Sequence, residues 1–197
     1  ILDLGCGTGL PALTLADLCE GTIVGLDPDV AALARFEERI RLAGLGARIE
    51  ARRGSLFAHD LSLASFDLLW AEGVLHLLAP ALAFPACTAL LAPGGWLVLH
   101  ETRAWWHAVE ASAIAAGFRT VDIYDLPPGA WSRDYFEPLA ARVAALRQAH
   151  PEAASSPDLA RAERDLATVH ADPTQLDTLF VLLQRTSLGI PREQEPK

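Results

Sequence analysis

Three glycines at alternate positions, Gly5, Gly7 and Gly9 in "LDLGCGTGL", follow a short apolar run and an acid, Asp3. A strand that enters a glycine-rich turn and then a helix presents backbone N–H groups and the positive end of the helix dipole to a ligand. Glycine also lets that ligand come close to the chain. The spacing is G-x-G-x-G, whereas the dinucleotide-binding turn has its third glycine one residue later. A second acid, Asp27, closes the next apolar run, "GTIVGLD", where a strand-end carboxylate can accept hydrogen bonds from both hydroxyls of a ribose. Two acids beside the loop oppose a pyrophosphate and suit a cation. An adenosine bearing an ammonium and a sulfonium group fits that electrostatics better than NAD does.

Other chemistry-bearing residues fall at the ends of later apolar runs. Glu72 follows "FDLLWA" and His76 lies four residues on, while Glu101 ends "GGWLVLHE". Strand ends of this kind are where ligands of open α/β sheets bind. Glu72 and His76 are the candidates for proton removal from an acceptor, and the ordinary pKa of histidine near 6.5 suits that task. Trp105, Trp106, Trp131 and Tyr135 are candidate aromatic walls, with plain packing the more common role of such residues. His107 and Glu110 have a helical spacing that metals use, but no third ligand is in view, and no metal site is expected. Cys6, Cys19 and Cys87 are odd in number and lack a C-x-x-C spacing, which argues for reduced thiols rather than a disulfide framework or zinc. Cys6 inside the glycine run is read as a small residue fitting a tight loop in preference to a nucleophile.

These residues must be positioned by alternating strands and helices. "ILDL", "GTIVGLD", "ARIEARRG", "SFDLLWAEG" and "GGWLVLHE" read as strands. "LPALTLADLCE", "PDVAALARFEERIRLAGLG" and "PALAFPACTALLA" read as the helices between them. Thr8 is expected near the first helix cap and Pro11 in its first turn, and Val30, Leu33, Phe36 and Ile40 share one face of the second. A helix around "HAVEASAIAAGF" and two further strands, "RTVDIYDL" and "DTLFVLLQRT", complete the pattern. The class is α/β, a doubly wound and mostly parallel sheet covered on both faces. About fifty residues between the last two strands are too many for a bare loop, and their composition predicts two helices broken at "HPEAASSP". We read one domain over residues 1–197, with 127–176 a helical lid insertion and "PREQEPK" a fraying tail.

Composition narrows the partners. The 197 residues carry 25 acidic and 16 basic side chains, a formal charge of −9, and 51% hydrophobic residues. The acidic balance, without a basic run, argues against nucleic acid and against an anionic membrane surface. No apolar stretch reaches the ~18 residues of a membrane span. A cytoplasmic protein acting on a small molecule is expected, its oligomeric state open.

Taken in order, "LDLGCGTG", "GLDPD", "FDLLWAEG" and "LAPGGWLVLHE" resemble the class I S-adenosylmethionine-dependent methyltransferase family over residues 1 to about 126. The resemblance implies a Rossmann-like seven-stranded sheet whose last strand is antiparallel. It also implies S-adenosylmethionine as cofactor. On that basis Asp3, Gly5, Cys6 and Gly7 would line its methionine end, and Gly9 would permit close packing at the helix start. Asp27 would bind the ribose and Pro28 would lie beside the adenine. Ser55 and Leu56 stand where many members have an acid and an apolar residue at the adenine edge, so Ser55 departs from that pattern. Ala71 and Glu72 would face the reactive end. The chain begins inside its first strand, without the helix that often precedes it in the family, which predicts a longer parent protein. "TRAWWHAVEAS" is shorter than in the small-molecule subset. Methyl transfer to a small molecule is the function expected. A cofactor-binding pseudo-enzyme or sensor is the alternative, and a nucleotide-dependent oxidoreductase is less favoured because of the glycine spacing and the second acid.

Overall fold

The computed structural model describes residues 1–127, 129–152, 156–172 and 176–186. Seven strands form one sheet: β1 (Leu2–Leu4), β2 (Ile23–Asp27), β3 (Ile49–Arg53), β4 (Phe66–Glu72), β5 (Leu91–Thr102), β6 (Phe118–Asp125) and β7 (Thr178–Arg185). Their order across the sheet is β3-β2-β1-β4-β5-β7-β6. The first five are parallel neighbours, with Leu4 opposite both Leu26 and Ala71. β7 is antiparallel between β5 and β6, as the family resemblance implies. Helices α1 (Leu10–Leu18), α2 (Val30–Ala43), α3 (Pro80–Leu90) and α4 (Arg103–Ala115) connect successive strands.

The chain divides into two compact units. One comprises Ile1–Glu101, Trp105–Ile123 and the chain from Phe180, and the other comprises Thr102–Ala104 and Tyr124–Leu179. The second contains a turn of π-helix (Ser132–Phe136) and helices α5 (Glu137–Ala149) and α6 (Pro157–Ala171). Arg147 and Glu163 join these helices through two hydrogen bonds of 2.8 and 2.7 Å. The tail "PREQEPK" lies outside the described residues.

Three local outcomes differ from the sequence reading. Thr8 is not a cap: the N-cap of α1 is Gly9, in the left-handed conformation and without a side-chain hydrogen bond. Thr8 instead accepts from Arg39 of α2 at both its carbonyl and its hydroxyl, each at 3.1 Å. β5 begins at Leu91 rather than at "GGWLVLHE", and "APGG" bulges from it, since the pairing jumps from Phe66–Leu91 to Leu68–Trp96. Such an insertion costs few ladder bonds and bends the strand locally. α4 starts at Arg103 rather than near His107, because the chain turns into helix directly from β5.

The core beneath the glycine turn is built around Phe36, which is fully buried with Leu15, Ala16, Ile23 and Ile40. A Cβ added to Gly9 would fall 1.8 Å from the Phe36 ring, and one added to Gly25 would fall 2.4 Å from it. Both glycines are therefore packing requirements, and Gly9 is a conformational one as well, at φ +80°. Gly9→Ala is expected to destabilise the fold by about 2–5 kcal/mol, combining left-handed strain with overpacking. Gly46→Ala, whose Cβ would meet nothing within 4 Å, should leave stability within ~1 kcal/mol. Urea unfolding of both variants checks this contrast.

Candidate active site

The strand order reverses between β1 and β4, so the crevice at their carboxyl ends is the switch point where open sheets of this kind bind ligands. The glycine turn leaves β1 there. Gly5, Gly7 and Gly9 all take positive φ, at +71°, +51° and +80°. The N–H groups of Gly5 and Cys6 donate to the Leu26 carbonyl at 2.8 and 3.3 Å, tying the turn to the end of β2. A Cβ on Gly5 would crowd Val74 at 2.8 Å, so the turn also abuts the segment that follows β4. At Gly7 the space is open: a Cβ would meet nothing within 4 Å.

Asp27 holds this arrangement from the side. One carboxylate oxygen accepts from the Gly7 N–H at 2.9 Å and the other from the Asp29 N–H at 2.8 Å. It does not cap α2, which is the work of Asp29, through its bonds from Ala31 and Ala32. A carboxylate oxygen has lone pairs beyond one hydrogen bond, so Asp27 can still accept from a ligand's hydroxyls. Pro28 beside it is exposed. Gly54 donates to the Asp27 carbonyl at 3.1 Å, which brings the turn carrying Ser55 and Leu56 to the same strand end. Ser55 exchanges backbone bonds with Ala58, its side chain partly buried, and Leu56 is buried.

Asp3 is only 2% exposed, and its Oδ2 has no hydrogen-bond partner among the described residues. Burial, and then the charge of Glu72, push its pKa up to about 7, with Asp27 adding to the rise and the Ala12 backbone opposing it. A buried, unpartnered carboxylate oxygen facing two further acids is costly unless a ligand supplies a donor or positive charge. A cationic cofactor would fit these residues on that ground. Cys6 tells the opposite story. Its side chain lies in the Phe36 core, and burial together with Asp3 and Asp27 pushes the thiol up to about 12, so it is no nucleophile near neutral pH.

On the other side of the crevice, Ala71 is fully buried in the sheet while Glu72 is exposed and accepts from the Trp70 indole at 2.6 Å. His76 sits in a turn of 3-10 helix (Leu75–Leu77), with its ring 2.9 Å from Glu101. Glu101 was only a strand-end acid in the sequence, and nothing in the spacing links it to a histidine 25 residues away. His100 gave no signal at all. It is buried, stacks on Phe180 with ring centroids 4.5 Å apart, and burial lowers its pKa against the pull of Glu72.

The remaining candidates have packing or hydrogen-bond partners of their own. Trp106 is fully buried packing, and Trp105 tilts against Phe84. Trp131 and Tyr135 belong to the second unit, where Trp131 donates to the Thr178 hydroxyl at 2.7 Å and packs edge-on against Tyr135. Glu110 accepts from Thr120, and no group of three metal-capable side chains occurs among the described residues.

The Asp3 shift has a stability consequence. Asp3 keeps its proton to about pH 7 in the fold but only to its ordinary 3.8 when unfolded. The folded chain therefore binds more protons between those values, and stability falls as pH rises from about 4 to 7. Three pKa units correspond to roughly 4 kcal/mol. Asp3→Asn, lacking this charge, should be more stable than the parent at pH 8 by up to ~4 kcal/mol, and the gain should vanish near pH 4. Urea unfolding at pH 4, 6 and 8 without ligand measures it.

A family profile described as "Methyltransferase domain" matches residues 2–99. Methyltransferase GfsG of Streptomyces halstedii is 30% identical over 124 residues, 61% of this chain and 44% of that protein. Sterol 24-C-methyltransferase of Eremothecium gossypii is 30% identical over 104 residues, 51% of this chain and 27% of that protein. The chain thus matches less than half the length of either relative. Among solved structures, the [4+2]-cyclase SpnF superposes with a TM-score of 0.78 at 23% identity, covering 94% of this chain and 73% of that one. Phosphoethanolamine N-methyltransferase 2 of Haemonchus contortus, in complex with S-adenosyl-L-methionine, gives 0.72 at 16% identity, covering 94% and 48%. These structures share the fold, and the matched profile over residues 2–99 together with the sequence relatives supports a class I S-adenosylmethionine-dependent methyltransferase.

Proposed function

We propose that this domain transfers a methyl group from S-adenosylmethionine to a small-molecule acceptor. The observation that carries the reading is the buried Asp3 carboxylate, whose Oδ2 has no partner among the described residues, beside an Asp27 already locked to the glycine turn. A neutral or anionic cofactor would leave Asp3 costly, whereas a cationic one offsets it.

The cofactor supplies an activated methyl group on a positively charged sulfur. Asp3 and the backbone of Gly5, Cys6 and Gly7 hold its amino-acid end, and Asp27 takes the ribose hydroxyls. Pro28, Ser55 and Leu56 flank the adenine, with Ser55 offering a hydroxyl where an acid is common. Ala71 walls the reactive end, and Glu72 and His76 stand on the acceptor's side. Because the leaving group is already activated, the protein's main task is to hold attacking atom and methyl carbon in line. Glu72 or His76 removes a proton where the acceptor is a hydroxyl or amine, and neither is needed for a thiolate or carboxylate.

The acidic charge favours a small acceptor over nucleic acid, and one of the sequence relatives is a sterol methyltransferase. The fold by itself does not select the reaction, since a cyclase carries it too.

Calorimetry is the test. S-adenosylmethionine and S-adenosylhomocysteine are expected to bind, NAD not, and Asp27→Ala should weaken both by about tenfold or more. Binding of NAD alone, or of none of the three, overturns the reading. The sulfonium cofactor should also bind more weakly at pH 6 than at pH 8. Protonation of Asp3 below about 7 removes the charge that attracts it, so a pH-independent affinity would assign that attraction elsewhere.

A further inference from the structure

Glu101 is 4% exposed, and its two carboxylate oxygens have separate employments. Oε1 accepts from the backbone N–H of Leu75 at 2.9 Å and from that of His76 at 3.2 Å. Oε2 lies 2.9 Å from His76 Nδ1. The first pair of bonds fixes the turn that carries His76, and the last fixes the ring. An ionised carboxylate only accepts, so the ring must donate from Nδ1, and a neutral imidazole then has its lone pair on Nε2. The His76 side chain is 44% exposed, against 3% for Glu101, so one end of the ring is anchored in the fold and the other is accessible. The segment carrying His76 is the one whose Val74 packs against Gly5 of the cofactor turn.

We propose that Glu101 is a positioning residue that locks His76 in the Nδ1–H tautomer, making its Nε2 the proton acceptor of the transfer in preference to Glu72. The inference rests on the methyl-transfer reading for its chemistry. As the acceptor's lone pair forms the bond to the methyl carbon, the carbon–sulfur bond breaks with its electrons left on sulfur. The acceptor's proton passes to Nε2, and the imidazolium so formed faces the Glu101 carboxylate. Glu72 lacks this anchoring: it is exposed, and among the described residues its hydrogen bond is to the Trp70 indole.

The division of labour between the two oxygens makes the role separable from a structural one. In Glu101→Gln the amide oxygen is claimed by the two backbone N–H groups, so the turn is kept. The amide nitrogen then faces Nδ1 and donates to it, which forces the ring into the Nε2–H tautomer. Long-range 15N–1H NMR of the full chain, with His76 assigned through His76→Gln, reads the tautomer with no acceptor present. Nδ1–H is expected in the parent and Nε2–H in Glu101→Gln. Carbethoxylation of His76 by diethyl pyrocarbonate should slow by about tenfold or more in that variant, the scale of a lost charged hydrogen bond. Affinity for S-adenosylhomocysteine, measured alongside, should be unchanged. An Nε2–H ring in the parent overturns the proposal even if the variant fails to fold, and so does an unaltered tautomer or reactivity in a folded Glu101→Gln. Loss of S-adenosylhomocysteine binding by the parent would instead defeat the cofactor reading, and the two failures are thereby distinct.

Discussion

The bonds from Gly7 and Asp29 to the Asp27 carboxylate are the constraint on which the site depends. A glycine turn with three residues at positive φ has many accessible shapes in an unfolded chain, and one must be selected. Asp27 selects it by accepting from the middle of the turn with one oxygen and from the entry to α2 with the other. Leu26 assists through its carbonyl, and Arg39 fastens Thr8 from the far side. The turn is thus held before any ligand arrives, which removes ordering cost from binding.

The same region carries an electrostatic debt. Asp27 and Glu72 both act on Asp3, which is buried without a counter-charge among the described residues. Protein interiors seldom keep such an oxygen without a reason in function. The rise of the Asp3 pKa measures how strongly the ligand-free fold resists the charge that a cationic ligand would use. A cationic ligand and the ligand-free fold would therefore make opposite demands on this residue.

Across the crevice the contrast between Glu72 and Glu101 shows how burial assigns roles to like side chains. Both end neighbouring parallel strands, with Glu72 opposite His100 in the register. One remains exposed, whereas the other points into the fold and orients a histidine from the loop after β4. The two carboxylates leave opposite faces of the sheet, since Glu101 is one residue beyond the partner of Glu72.

Much of this was legible in the sequence because it is local. Strand and helix periodicity, the glycine spacing and the acids at strand ends determined the α/β class, the mostly parallel sheet and the glycine turn that follows β1. The caps were less legible: Thr8 and Gly9, or Asp27 and Asp29, are equally plausible by type, and the choice depends on which backbone groups other elements have already taken. The Phe36 contact that makes Gly9 and Gly25 indispensable, the orphaned oxygen of Asp3, the burial that silences Cys6 and the pairing of His76 with Glu101 were decided by tertiary structure alone. Each depends on atoms far apart in the chain, and no spacing rule encodes which buried group a distant side chain will meet or how much water will be left to solvate it.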